Sequence, residues 1–170
     1  MMGGRRIAAL GAAVLLWCAA SLGALAQGRP EPGVILRDWY TLMNELVRHT
    51  ATYSPPVASR SFAYLGITAF EAAAGGSDKL VSLVGQLHGL DQVPQREAGA
   101  SYDETVVISA AMSDAIVFYF GNTGPTGQRA INRAQSKWRA LAVEGVPEDV
   151  VQRSEAFGKA MAAAIFAWSQ

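Results

Sequence analysis

The sequence predicts an all-α protein, a bundle of five or six helices, and three observations carry that expectation. Half of its 170 residues are apolar, alanine is abundant, and the period-2 alternation of β-branched and polar residues that marks strands is rare. Apolar residues instead recur at three- and four-residue steps over segments of helical length. Proline opens several of these segments and glycine follows them, the asymmetry expected at helix starts and stops.

Residues 1–26 read as a secretory signal. Arg5 and Arg6 supply the positive start, Ile7 to Leu22 the apolar stretch, and Ala24-Leu25-Ala26 the small-residue cleavage site. The alternative is an uncleaved anchor, because the apolar run approaches the roughly 20 residues that span a bilayer. Export to the periplasm or the extracellular space follows, with the membrane touched only through this segment if it is retained. Cys18 is the only cysteine, so a mature chain would hold no disulfide. About 140 residues would remain, enough for one domain with a sizeable core. Residues 27–33, with two prolines, read as a flexible lead-in, and 34–170 as the helical domain.

The first helix is expected from about Val34 to Thr50, with Leu36, Trp39, Tyr40, Met43, Leu46 and Val47 on its apolar face. Residues 53–76, YSPPVASRSFAYLGITAFEAAAGG, follow. Between Val57 and Ala74 the only formal charges are Arg60 and Glu71, and small residues abound. A helix apolar on every side belongs in the middle of a bundle, so residues 56–74 are expected to form the central helix. Arg60 and Glu71 share a face but lie about three turns apart, so each needs a partner from elsewhere. Asp114, a lone charge in an apolar segment, is the expected partner for Arg60.

Beyond Gly75-Gly76, a short helix carrying Leu80 to Leu87 is expected, then a loop from His88 to Ala100. Ser101 and Glu104 have the spacing of a capping box for a helix reaching Phe120. Gly121 to Gly127 turns into a helix with Ile131, Ala134, Trp138 and Leu141 on one face and Arg129, Arg133 and Lys137 on another. Val146-Pro147-Glu148-Asp149 opens the last helix, with Asp149–Arg153 and Glu155–Lys159 as surface pairs.

The run VRHTATYSPPVASRSFAYLGITAFEAA, with SEAFGKAMAAAIFAWSQ at the end of the sequence, resembles the N-terminal helical part of bacterial vanadium haloperoxidase-like proteins. These belong to the type-2 phosphatidic acid phosphatase superfamily, and the likeness extends from Trp39 to Gln170. The resemblance implies vanadate or phosphate chemistry, but the superfamily motifs that hold the oxyanion are absent. A lysine should precede Arg-Pro with six residues between; Arg29-Pro30 is the only such pair, and Leu22 stands there. No Pro-Ser-Gly-His run occurs. Ser59-Arg60 imitates the third motif, yet Gly66 stands where its histidine belongs. A tetrahedral oxyanion needs convergent cationic and backbone donors plus a histidine, so no catalytic or cofactor-binding residue carries over. The implied partner is a catalytic half outside this sequence, or a second copy of the chain.

The remaining candidates are weaker. His49 and His88 are the only histidines; His49 with Glu45 supplies at most two ligands, short of a metal site. His49 is expected to hydrogen-bond at a helix end. Arg129 follows GNTGPTG, a glycine-rich turn resembling an anion-binding loop but lacking the Gly-Lys-Ser/Thr of a phosphate loop. The formal net charge is zero, which removes the electrostatic case for nucleic acid. In the last helix the apolar stripe still runs at Ile165, Phe166 and Trp168, and no Gly, Asn or basic residue closes the final turn. Unpartnered terminal carbonyls are therefore expected there, with an exposed apolar patch on the last helix and its neighbours.

Overall fold

The computed structural model describes residues 28–170. The expected signal segment, Met1 to Ala26, lies outside the described residues. Among the described residues there are five helices and no strand: α1 (Pro32–His49), α2 (Pro55–Ala74), α3 (Glu104–Phe120), α4 (Pro125–Val143) and α5 (Glu148–Trp168). The all-α bundle is thus as the sequence reads. No described helix is long and apolar enough to cross a membrane.

Prolines occupy the first turns of α1, α2 and α4, where a missing N–H costs nothing because those donors have no intrahelical acceptor. α1 buries Ile35, Trp39, Met43 and Leu46, one residue per turn along a single stripe. α4 buries only Ile131, Trp138 and Ala142 and lies at the edge. α5 buries Val151, Phe157, Met161 and Ile165 with Ser154 and Gly158 between them.

The centre of the bundle is α3, which corrects the expectation for residues 56–74. α3 packs against each of the other four helices, and Thr105 to Met112 form an unbroken buried run. α2 buries one stripe, Ser61, Leu65, Thr68, Ala69, Glu71 and Ala72, and leaves Ser59, Arg60 and Ala63 exposed. Small side chains expose little apolar area, so a helix rich in them can lie at the surface at small cost. Ile108, Met112, Ile116 and Phe120 offer far more area per residue and gain more from burial, about 1.5–3 kcal/mol for each large side chain.

The connection between α2 and α3 forms no short helix at residues 80–87; it is an irregular strap tied down at several points. Glu71, buried in α2, accepts from the Ser82 hydroxyl at 2.8 Å and the Leu83 N–H at 2.6 Å. Those bonds take the backbone out of helical register. Gly85 then adopts φ +72° and its N–H bonds the Leu90 carbonyl, a turn that seats Leu90 in the core. Further on, Arg96 grips Glu104 through two hydrogen bonds of 2.6 and 2.8 Å. Its guanidinium lies 5.0 Å from the Tyr102 ring centre and 5.1 Å from that of Phe157.

That grip also undoes the expected capping box. Asp103, not Ser101, caps α3, accepting from the Val106 N–H at 3.0 Å. Asp103 also receives Arg29, whose Nη1 reaches Oδ2 at 2.6 Å, while Arg29 Nε donates to the Ala142 carbonyl at 2.7 Å. Within the expected lead-in, then, Arg29 is fastened to α3 and α4, and α1 already begins at Pro32.

Candidate functional site

Two surface features gather polar or aromatic chemistry. The first is an aromatic face where the ends of α2, α3 and α5 meet. Phe118 stacks on Phe166 with ring centres 4.5 Å apart, and Tyr119 meets Phe166 edge-on at 5.6 Å. Tyr64 stacks on Tyr119 at 5.7 Å and meets Trp168 edge-on at 5.6 Å. The five rings are therefore continuous, and a shallow cavity of about 270 Å³ opens on four of them, all but Trp168, beside Val57 and Arg60. Val57, Val117 and Phe118 remain 43 %, 44 % and 37 % exposed, large apolar side chains facing water around this end of the bundle. Burial raises the Tyr119 phenol above its ordinary value, so it stays protonated across the physiological range.

Arg60 belongs to this face and not to the core, which corrects the pairing expected with Asp114. It is exposed, and its Nη2 donates to the Tyr64 hydroxyl at 3.0 Å and to the Ser169 carbonyl at 3.1 Å. The second bond ends α5: Arg60 supplies, from α2, the basic group that the last turn itself lacks. Ser169 Oγ donates to the Phe166 carbonyl at 2.7 Å, so the expected unpartnered carbonyls are in part satisfied.

The second feature is a cleft of about 310 Å³ bounded by α3, α4 and α5. Four charged residues line it: Asp114, Arg139, Glu155 and Lys159. Arg139 pairs with Glu155 at 2.7 Å, so the helix pair expected between Glu155 and Lys159 gives way to a bridge across helices. Asp114 sits half-buried; burial raises its carboxyl above the ordinary value and the charge of Lys159 opposes this. Ser109 and Ser113, one turn apart on α3, share the cleft wall, and Gln135 Nε2 donates to Ser113 Oγ at 3.0 Å.

Of the residues singled out in the sequence, Glu71 is buried as expected, and its partners are a hydroxyl and a backbone N–H. His49 is exposed with Nε2 3.5 Å from Glu45, the one-turn contact its spacing suggests. Arg129 is exposed and bonds Thr126 Oγ1 at 3.1 Å, within its own helix start. The structure does not bring Arg60, Glu71, Asp114, His49 and Arg129 together. Among the described residues no group of three or more His, Cys, Asp or Glu is placed to hold a metal ion. The cleft residues were legible only in part. Ser109, Ser113 and Asp114 form a polar patch on an otherwise apolar helix, whereas Arg139, Glu155 and Lys159 look like ordinary solvated charges until α4 and α5 are set side by side. No family model, curated protein or solved structure matches the chain.

Proposed function

We propose that this chain is an exported helical module of the kind found at the N-terminus of vanadium haloperoxidase-like proteins, and that it acts by docking rather than by turnover. The aromatic face around Arg60 carries the reading. It sets Val57 and Phe118 at the surface around one cavity with the Arg60 guanidinium, the mixture of aromatic, apolar and Arg side chains enriched at protein interfaces. The occupant implied by the resemblance is a catalytic half that holds the oxyanion, or a second copy of the chain. The departures at Leu22 and Gly66 and the missing Pro-Ser-Gly-His run support assigning vanadate or phosphate chemistry to that other half. A second reading rests on the cavity of about 270 Å³, which suits a small apolar ligand on the same rings.

Sedimentation of the mature protein at micromolar concentration tests the docking. Reversible self-association that Phe118→Asp abolishes supports it. A monomer that binds no apolar dye and gains no partner when the neighbouring reading frame is co-expressed would overturn it. The purified chain is expected neither to hydrolyse a generic phosphate monoester nor to oxidise halide with peroxide and added vanadate. Turnover that survives repurification and is lost in His49→Ala would contradict that. Intact mass from the native host tests export: a species retaining Met1 and Trp17 would replace cleavage with an anchor.

A further inference from the structure

We infer that the cleft between α3, α4 and α5 binds a small zwitterion, its ammonium group held by Asp114 and its carboxylate by Lys159. This site is separate from the aromatic face and does not depend on what docks there.

Of the four charged residues in the cleft, Arg139 and Glu155 answer each other at 2.7 Å, with the Glu155 side chain 18 % exposed. Asp114 and Lys159 are left, one of each sign, on facing helices. Neither makes an ion pair within 4 Å or a side-chain hydrogen bond among the described residues, although Lys159 is near enough for its charge to be felt at Asp114. A half-buried carboxylate has lost part of its hydration without gaining donors. A ligand ammonium replaces those donors directly.

The surroundings fit that ammonium. Ser109 is buried, lines the cleft and makes no side-chain hydrogen bond among the described residues, so its oxygen is free to accept. Ser113 Oγ already accepts from Gln135, and a hydroxyl oxygen has a second lone pair. Val106 and Ala110 give the cleft an apolar stretch for a short methylene chain. A volume of about 310 Å³ is at the small end of ligand pockets and suits a molecule of amino-acid size.

Selectivity follows from the pair. A simple amine would leave Lys159 unanswered and a simple acid would leave Asp114 unanswered, and the cleft as a whole is charge-balanced, so it attracts neither ion strongly. A zwitterion answers both.

The test is a calorimetric titration of the full chain with glycine, 4-aminobutanoate and 6-aminohexanoate, with butylammonium and butanoate as the half-ligands. One zwitterion of the series is expected to bind at least about tenfold more tightly than either half-ligand. Asp114→Asn and Lys159→Gln should each weaken it by about tenfold or more, and the double variant should weaken it further, because each charge holds a different end of the ligand. Arg129→Gln, on α4 but outside the cleft lining and bonded within its own turn, should leave binding unchanged. Both cleft residues are partly exposed, and an unchanged helical circular-dichroism signal and melting transition confirm that the variants fold. Absence of saturable binding by any zwitterion would overturn the inference. Equal binding of a half-ligand, or binding undiminished in Asp114→Asn, would overturn it as well.

Discussion

Gly158 on α5 lies against the backbone of α3 so closely that a Cβ there would stand 2.9 Å from the Ala111 nitrogen and 3.0 Å from the Ala110 Cβ. Backbone cannot yield as the end of a flexible side chain can, and the α3–α5 contact is the most extensive in the bundle. Gly158→Ala is therefore expected to push the two helices apart. The cost should be about 1–3 kcal/mol, despite the better helix propensity of alanine. Urea denaturation measures it, and a midpoint equal to that of the wild type would place the helices farther apart than described.

Glu71 holds the strap that follows α2. Removing it in Glu71→Ala strands the Leu83 N–H and the Ser82 hydroxyl, at a cost of about 1–3 kcal/mol. Glu71→Gln keeps one acceptor oxygen and should cost less. Amide exchange at Leu83 should accelerate in both, most in the alanine variant. Unchanged exchange at Leu83 would mean that the strap is held by other contacts.

Arg96 is expected to tolerate lysine poorly. Lysine keeps the charge opposite Glu104 but cannot make two parallel bonds while lying flat between the Tyr102 and Phe157 rings. Arg96→Lys should lose about 1–2 kcal/mol, discounted because Glu104 is 41 % exposed at its side chain. Equal stability of the two proteins in chemical denaturation would reduce the Arg96 contacts to surface decoration.

Asp103 and Asp114 should respond to acid with opposite signs. Burial alone would raise Asp103, but the Arg29 hydrogen bond, the Val106 N–H and the Arg29 charge outweigh it and hold the carboxyl below its ordinary value. Its contribution is present above the unfolded value of about 3.9 and is lost as pH falls through the lowered folded pKa. Asp114 is raised by burial, with Lys159 opposing, so ionising it costs stability above the folded pKa. That cost is relieved as pH falls through the folded pKa toward the unfolded one. At pH 7, Asp103→Asn should lose about 1 kcal/mol, while Asp114→Asn should be at least as stable as the wild type. Both differences should shrink toward pH 3. Denaturation curves between pH 3 and 7 check the signs, and two differences of the same sign would refute the assignment.

How much was legible depended on whether a signal was local. Pro55 and Pro125 announce helix starts within a residue or two, because the fixed φ and absent N–H act at that position alone, whereas Pro32, which opens α1, reads as part of a lead-in. What failed depended on partners distant in sequence. The apolar residues from Leu80 to Leu87 suggest a helix until Glu71 claims Ser82 and Leu83. Ser101 and Glu104 have the spacing of a cap until Arg96 takes the glutamate and Asp103 the cap. α2 reads as central because it carries few charges and its small residues let neighbouring helices approach closely, yet small side chains also bury little area, and the larger ones of α3 take the centre. The sequence points to an apolar patch on the last helix and its neighbours, but which rings of α2, α3 and α5 meet there depends on how the helices pack. Neither it nor the cleft could be drawn from any single stretch.

The central place of α3 has a kinetic meaning as well. α3 meets all four of the other helices, so its buried run from Thr105 to Met112 cannot open while its neighbours stay in place. Amides from Ile108 to Met112 should then exchange with deuterium only through whole-molecule unfolding, at the rate set by the global free energy. Those of α4, with three buried residues, should exchange through smaller openings. The middle of α3 thus serves as a built-in gauge of the stability of the entire bundle, readable one proton at a time in the undisturbed native protein.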